Sequence, residues 1–384
     1  MDNKRISELD SLRGIAAFTV LINHCLIVYP ALYELLNSRD TNSSTALKYL
    51  LFSPIITIWN GHAAVILFFI LSGFVLSVSH YNNSTFNYSS YLIKRIVRLY
   101  IPYFVIITIS VILINYYLGK YGMDHLSARF NETWTFKINL TDYIKLLLLR
   151  GKINIVNSPL WTVIIEIEIS VILPIFIIII KKINFIKSII LVILCIVCLK
   201  IVTYSKITNF IPDLIYIYYL QFFLFGSILY KYRSKIKSLE IKNVFILAIV
   251  FIVILFFYNW EWLIVWAIKY DKQNTFYAIS DYMIAIGCIL LMTISISNTC
   301  SIKKILNNRI TIFLGKISFS LYLIHQILIL FMVYSFRLIS YNYLLFIIIA
   351  ISLPVSFAYY YYIEQPAINL GAFLAKSFKK NIYK

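Results

Sequence analysis

The sequence predicts an all-α polytopic membrane helix bundle of about ten transmembrane helices, with both termini cytoplasmic. Three observations carry that expectation. The 384 residues are 61% hydrophobic and only 13% charged, more apolar surface than a soluble domain of this size can bury. Apolar stretches of about 20 residues, the length that crosses a hydrocarbon core, recur along the chain. Lysines and arginines concentrate between alternate stretches, as the positive-inside rule asks.

In order, the expected spans are 9–29, 62–80, 99–118, 161–180, 187–204, 211–230, 243–263, 277–297, 311–334 and 341–363, with the loosest boundaries around KITNFIP (206–212). The first begins after MDNKR and superficially resembles a signal peptide. No small-x-small cleavage pattern follows it, so it reads as a span. With the N-terminus inside, 22 of the 35 Lys+Arg fall on the inner side. They include Lys4, Arg5, Arg13, the KRIVR run at 94–98, the KYRSKIK run at 231–237 and the tail lysines. The outer segments intersperse acids such as Asp124, Glu132, Asp142, Asp271 and Asp281.

The chain reads as one domain, 1–384, with no repeat of fixed period. Residues 119–160 form an extracytoplasmic loop region and 364–384 a basic cytoplasmic tail. The loop holds an amphipathic piece, TDYIKLLLLR (141–150), and either covers a substrate site or simply packs on the surface. The net charge of +19 is dispersed between spans, which argues against a nucleic-acid partner. Cys25, Cys195, Cys198 and Cys288 lie in apolar runs without disulfide or metal-ligand spacing, so no metal is expected.

Ionisable groups inside spans are costly and mark function or an internal pair. Arg13 and His24 are eleven residues apart, so they share one helical stripe roughly 16 Å long, with Ala17 and Val20 between them. Counted along their helices, His24 and His325 stand roughly 20 and 21 Å above the inner boundary. Glu166 counts as roughly 8 Å below the outer boundary, so all three converge on the outer third of a core about 30 Å thick. A lone membrane histidine is as readily explained by a hydrogen bond to a neighbouring helix. Three titratable groups at one depth point instead to a site. Glu168 faces elsewhere and is expected to pair with a basic group.

Ser318, Tyr322 and His325 share a helix face by their spacing. Arg95 and Arg98 share another beside Lys94, and such a cluster grips either phosphates or lipid headgroups. Spacing alone favours the headgroups. FFILSGF (68–74) reads as a small-residue packing surface, and His62 is expected at the outer vestibule. His80 and His125 are assigned nothing.

Taken together, these motifs resemble the acyltransferase-3 family of integral-membrane acyltransferases. The resemblance runs nearly end to end: ELDSLRGIAA with Arg13-x10-His24, GHAAVILFFILSGF, RIVR, SPLWTVIIE with Trp161 and Glu166, GKISFSLYLIH, and YYYIEQP with Glu364 and Pro366. Each is weak alone, but their order and spacing are specific. The resemblance implies ten core helices, an acyl-CoA donor, most often acetyl-CoA, and transfer to a hydroxyl of a glycan or glycolipid. It implies functional roles for Arg13 with His24, Arg95 with Arg98, and Glu166. Members commonly carry an aromatic four residues after that glutamate, where this chain has Ser170. Many members also carry a fused esterase-like domain, which the sequence lacks.

The expected reaction is O-acetylation of a cell-surface glycan (O-antigen, capsule or exopolysaccharide) at a bacterial cytoplasmic membrane, alongside membrane lipid and polysaccharide-assembly proteins. His24 is expected as general base and Glu166 as its orienting partner. Tyr322 and His325 are expected as oxyanion donors, with an acyl-enzyme on Tyr322 or a serine left open. Arg13, Lys94, Arg95 and Arg98 are expected to hold the donor phosphates, its pantetheine arm running up the Arg13–His24 stripe. The rival from another class is a transporter or flippase for a glycan or lipid-linked intermediate. A third reading, a lipid-linked sugar acyltransferase working wholly in the cytoplasm, fits the depth of His24 less well.

Overall fold

In the computed structural model, residues 6–38, 53–82, 86–118, 125–204, 215–260 and 274–382 are described. Expectations resting on Lys4, Arg5, KITNFIP, Asp124 and Asp271 fall outside them. The described residues are all-helical, with no strand among them. A long helix stands at each expected span: α1 (Ser7–Leu26), α2 (Gly61–Asn82), α3 (Tyr88–Tyr117), α4 (Leu160–Lys182), α5 (Phe185–Tyr204), α6 (Ile215–Lys231), α7 (Val244–Tyr258), α8 (Asn274–Ile296), α9 (Arg309–Ser335) and α10 (Tyr341–Tyr359). A last helix, α11 (Gln365–Ile382), follows.

Among the described residues, six segments are long and apolar enough to cross a membrane: within α2, α3, α4, α8 and α9, and Tyr341–Lys379 through α10 and α11. Phe185–Cys198 and Val244–Tyr258 are apolar but shorter. In α1 the embedded Asp10, Arg13, Asn23 and His24 dilute its hydropathy. The outer surface is apolar, as lipid contact requires: Val244 is 77% exposed and Ile112 63%. This is a membrane protein.

Helix α9 is the hub, with 83% of its apolar window buried. It crosses α1 backbone to backbone. A Cβ on Gly14 would lie 2.3 Å from the Gly315 nitrogen, and one on Gly315 would lie 2.5 Å from the Asp10 carbonyl oxygen. The α2–α6 crossing repeats the device, with Gly73 against the Phe223 carbonyl and Gly226 against that of Ile70, each 1.9 Å from a built Cβ. Dispersion between close backbones is what holds helices together where lipid removes the hydrophobic drive.

Two irregularities shape the site. Between α10 and α11 the chain makes a π-helical turn, Tyr360–Glu364, just before Pro366. Proline cannot donate to the helix and clashes with the carbonyl four residues back, and the widened turn accommodates it. Its last residue, Glu364, is turned inward and buried. At the other end of the bundle, residues 125–159 fold into three short helices, Ala128–Asn131, Leu140–Leu147 and Ile153–Asn157. Trp134, at φ 55°, packs between Tyr117 and Tyr334 with ring centroids 6.0 and 5.2 Å away.

Candidate active site

His24 meets His325 across the α1–α9 crossing, their rings edge to face with centroids 4.9 Å apart. Its Nδ1 lies 2.7 Å from Gln326 Oε1. An amide oxygen only accepts, so Nδ1 carries the proton and the Nε2 lone pair is left available. His325 is fully buried, and its Nδ1 points at the Leu321 carbonyl, 3.2 Å away. Its Nε2 is then a buried acceptor with no partner. The expected oxyanion donor therefore offers a lone pair, because its N–H is committed to the backbone.

One turn below His325 the Tyr322 hydroxyl forms a triangle with Thr162 and the Pro159 carbonyl. Thr162 Oγ1 is 2.8 Å from the Tyr322 hydroxyl and 3.0 Å from the carbonyl; the Tyr322–Pro159 side is 3.3 Å. Both hydroxyl protons are used within it. The long side is its weakest bond and the one most easily exchanged.

Glu166 departs from expectation. Its Oε1 accepts from Ser72 Oγ at 2.8 Å and from the Arg95 guanidinium. Arg95 Nε donates to Ser170 Oγ at 3.1 Å, and Ser170 donates in turn to the Glu166 carbonyl at 2.6 Å. The carboxylate thus joins the arginines expected at the inner end, and His24 pairs with Gln326 instead. The cause is the start of α4. Pro159 and Thr162 are level with Tyr322, so this helix begins sunk within the bundle, beneath the short helix Ile153–Asn157. Depth counted from its first residue as a membrane boundary places Glu166 too high. Glu166 is one further turn down, roughly 10 Å below the two histidines.

Arg98 lies in the electrostatic reach of Arg13, Arg95, Glu166 and Glu364, and its Nε has no hydrogen-bond partner. Glu364 accepts from Ser320 Oγ at 2.7 Å. Three guanidinium groups thus face three carboxylates, Asp10, Glu166 and Glu364, with Arg13 4.0 Å from Asp10, and a cavity of about 940 Å³ opens beside them at the end of the bundle bearing the N-terminus of α1. Arg233, Lys237 and Lys316 stand on its wall with Arg13 and Arg98. Arg233 stacks on Tyr230 at 4.0 Å, which fixes a side chain that would otherwise wander.

From Arg13 and Arg98 a narrow cavity of about 60 Å³ continues past Ser72, Glu166 and Ser318 to Tyr322. This track runs between α2, α4 and α9. The expected stripe on α1 is closed, since Ala17 and Val20 are buried in packing. Beyond the histidines a third cavity, about 240 Å³, is lined by Asn23, Trp59, Asn60, His62 and Arg129. His62 Nε2 contacts the buried Asp281 at 2.6 Å, and Tyr218 donates to the same carboxylate at 2.6 Å. Arg129 donates to Ser158 at 2.6 Å, and its charge reaches His24.

Other expected residues scatter. Lys94 is exposed and lines a separate cavity with Arg95 and Arg98. Glu168 pairs with Arg150 at 2.9 Å, on another face of α4. His80 bonds the Leu76 carbonyl and stacks on Phe86. Gln326, Ser72 and Arg129 had no periodic or spacing signal that would have singled them out, and Ser170 stood out only as a departure from the family's pattern. Glu364 did, through its place before Gln365-Pro366, and Arg233, Lys237 and Lys316 were visible only as inner-side charges.

A family model described as an acyltransferase domain, that of the acyltransferase-3 family, matches residues 6–362. No curated protein and no solved structure matches the chain.

Proposed function

The chain belongs to the acyltransferase-3 family, and from that premise we propose that this membrane acyltransferase moves an acetyl group from acetyl-CoA to a hydroxyl of a cell-surface glycan. The bundle would cross the membrane ten times with both termini cytoplasmic, in a bacterial cytoplasmic membrane. One observation carries the reading. His24, its Nδ1 held by Gln326, stands between the linings of two spaces: a basic cavity of about 940 Å³ whose narrow extension ends at Tyr322, beside His325, and a small polar vestibule lined by the adjacent Asn23.

The donor would enter at the basic end. Its phosphates suit the Arg13, Arg98, Arg233, Lys237 and Lys316 wall, because arginine forks match phosphate oxygens and the two nearby carboxylates leave net positive charge. Its pantetheine arm would follow the Ser72–Ser318–Tyr322 track. At about 60 Å³ that track is too narrow as it stands, so Phe68 or Phe319 on its wall would have to swing aside. The acceptor would come from the vestibule, whose amides, aromatics and Arg129 offer the mixed donors and acceptors a sugar needs.

In the chemical step the acceptor hydroxyl oxygen bonds to the thioester carbonyl carbon while its proton passes to His24 Nε2. The C–S bond then breaks, and the CoA thiolate takes the proton as it leaves. Gln326 holds the base in the productive tautomer, and Tyr322, at the end of the track, would serve the oxyanion once released from its long bond to Pro159. Glu166 acts at one remove, fixing Arg95 beside the track.

The test combines acetyl-CoA binding by the purified chain with a count of O-acetyl esters on the surface glycan of cells carrying it. Binding together with new esters supports the reading. A chain that binds no acetyl-CoA and adds no ester contradicts it.

A further inference from the structure

A second basic cavity lies between the inner part of α3 and α11 and holds about 690 Å³. Five cations line it, Lys94, Arg95, Arg98, Lys376 and Lys379, and no carboxylate does. The larger donor-side cavity, by contrast, has Asp10 and Glu364 on its wall. Arg95 is committed to Glu166. Arg98 is shared with the donor-side cavity, which leaves the exposed Lys94, Lys376 and Lys379 as the cations that line this cavity alone.

Beside this cavity the surface is apolar. Helix α11 turns Leu370, Phe373 and Phe378 outward, 43%, 66% and 43% exposed, while α3 turns out Ile96 at 39%. The continuous helix Tyr341–Lys379 has 39 residues, about 58 Å, which is near twice the hydrocarbon thickness. Its second half therefore cannot lie in the same crossing as its first. Such a helix, with lysines on one side and phenylalanines on another, suits the headgroup level, where the charges meet polar groups and the rings meet apolar ones. It packs against α3, where a Cβ on Gly371 would stand 3.3 Å from the Lys94 carbonyl.

We propose that this cavity binds the headgroup of an anionic phospholipid, its phosphodiester on Lys94, Lys376 and Lys379 and its acyl chains along Ile96 and Phe373. Clustered cations between helices at an inner membrane face, next to apolar surface, are the chemistry that recognises such lipids. The inference stands apart from the acyl-transfer reading and moves Lys94 from donor to lipid. The diphosphate of coenzyme A shares the phosphate chemistry, so it serves as the competing source.

The test is native mass spectrometry of the purified full chain with phosphatidylglycerol, using phosphatidylcholine as control and free coenzyme A as competitor. Phosphatidylglycerol should be retained in preference and not displaced by coenzyme A. The double variant K376Q/K379Q should bind it roughly thirtyfold more weakly, from two surface lysines lost. Ala372→Trp fills the cavity wall while keeping every charge, and should weaken binding as well. Equal retention of both lipids, unchanged binding in both variants, or displacement by coenzyme A would each overturn the proposal.

Discussion

His24 and Gln326 illustrate how much a single side-chain partner decides. With Nδ1–H on the amide oxygen, Nε2 is the basic atom. Gln326→Ala should lower the turnover of acyl transfer roughly tenfold, the worth of one hydrogen bond in a dry site, at unchanged donor affinity. Gln326→Glu, which keeps an acceptor, should recover most of it. Steady-state kinetics with acetyl-CoA separates the two. Ser170 is a second case. From the sequence it is only a departure from the family's aromatic; in the structure it bridges Arg95 and the Glu166 backbone and is itself buried. Ser170→Ala should loosen Arg95 and raise the donor KM several-fold with little change in melting temperature. Ser170→Phe should fail to accumulate in membranes, since the buried position has no room for a ring. Depth counting could bring His24 to His325 because α1 and α9 begin where their hydropathy does. It could not place Glu166, because nothing in SPLWTVIIE shows that Pro159 lies within the bundle, level with Tyr322.

At the scale of helices, a long helix stands at each of the ten apolar runs, and six segments among the described residues have the length and apolarity that a crossing demands. The crossings themselves were only half visible. FFILSGF announced a small-residue contact at Gly73, yet its partner Gly226 and the Gly14–Gly315 contact are established by the fold alone. Gly14→Val and Gly315→Val should each prevent the α1–α9 approach, because the added carbons meet backbone that has nowhere to go. Membrane accumulation should fall sharply for both, read by detergent extraction and size-exclusion profile. The π turn makes a subtler prediction. Pro366→Ala removes the clash that the widened turn relieves, and reverting to α geometry would rotate Glu364 away from Ser320. Donor affinity should drop more than thermal stability does.

Over the whole molecule the proposed function implies a division: cations suited to phosphate at one end of the bundle, His24 as the proposed base about three helical turns above Arg13, and the polar vestibule of about 240 Å³ beyond. The charges at the inner end were plain in the sequence as a topology signal. Their gathering into two cavities, with Lys94 in one and Arg233 in the other, depends on α11 packing alongside α3, which no local pattern encodes. The division is tested most directly by measuring acetyl-CoA binding and acyl transfer side by side in His24→Ala and Arg98→Ala. His24→Ala should bind the donor as tightly as the parent chain while transfer falls by a factor on the order of a hundred or more. Arg98→Ala should weaken binding about tenfold and transfer at near-parental turnover once saturated. Undiminished transfer by His24→Ala, or unaltered donor affinity in Arg98→Ala, would contradict it.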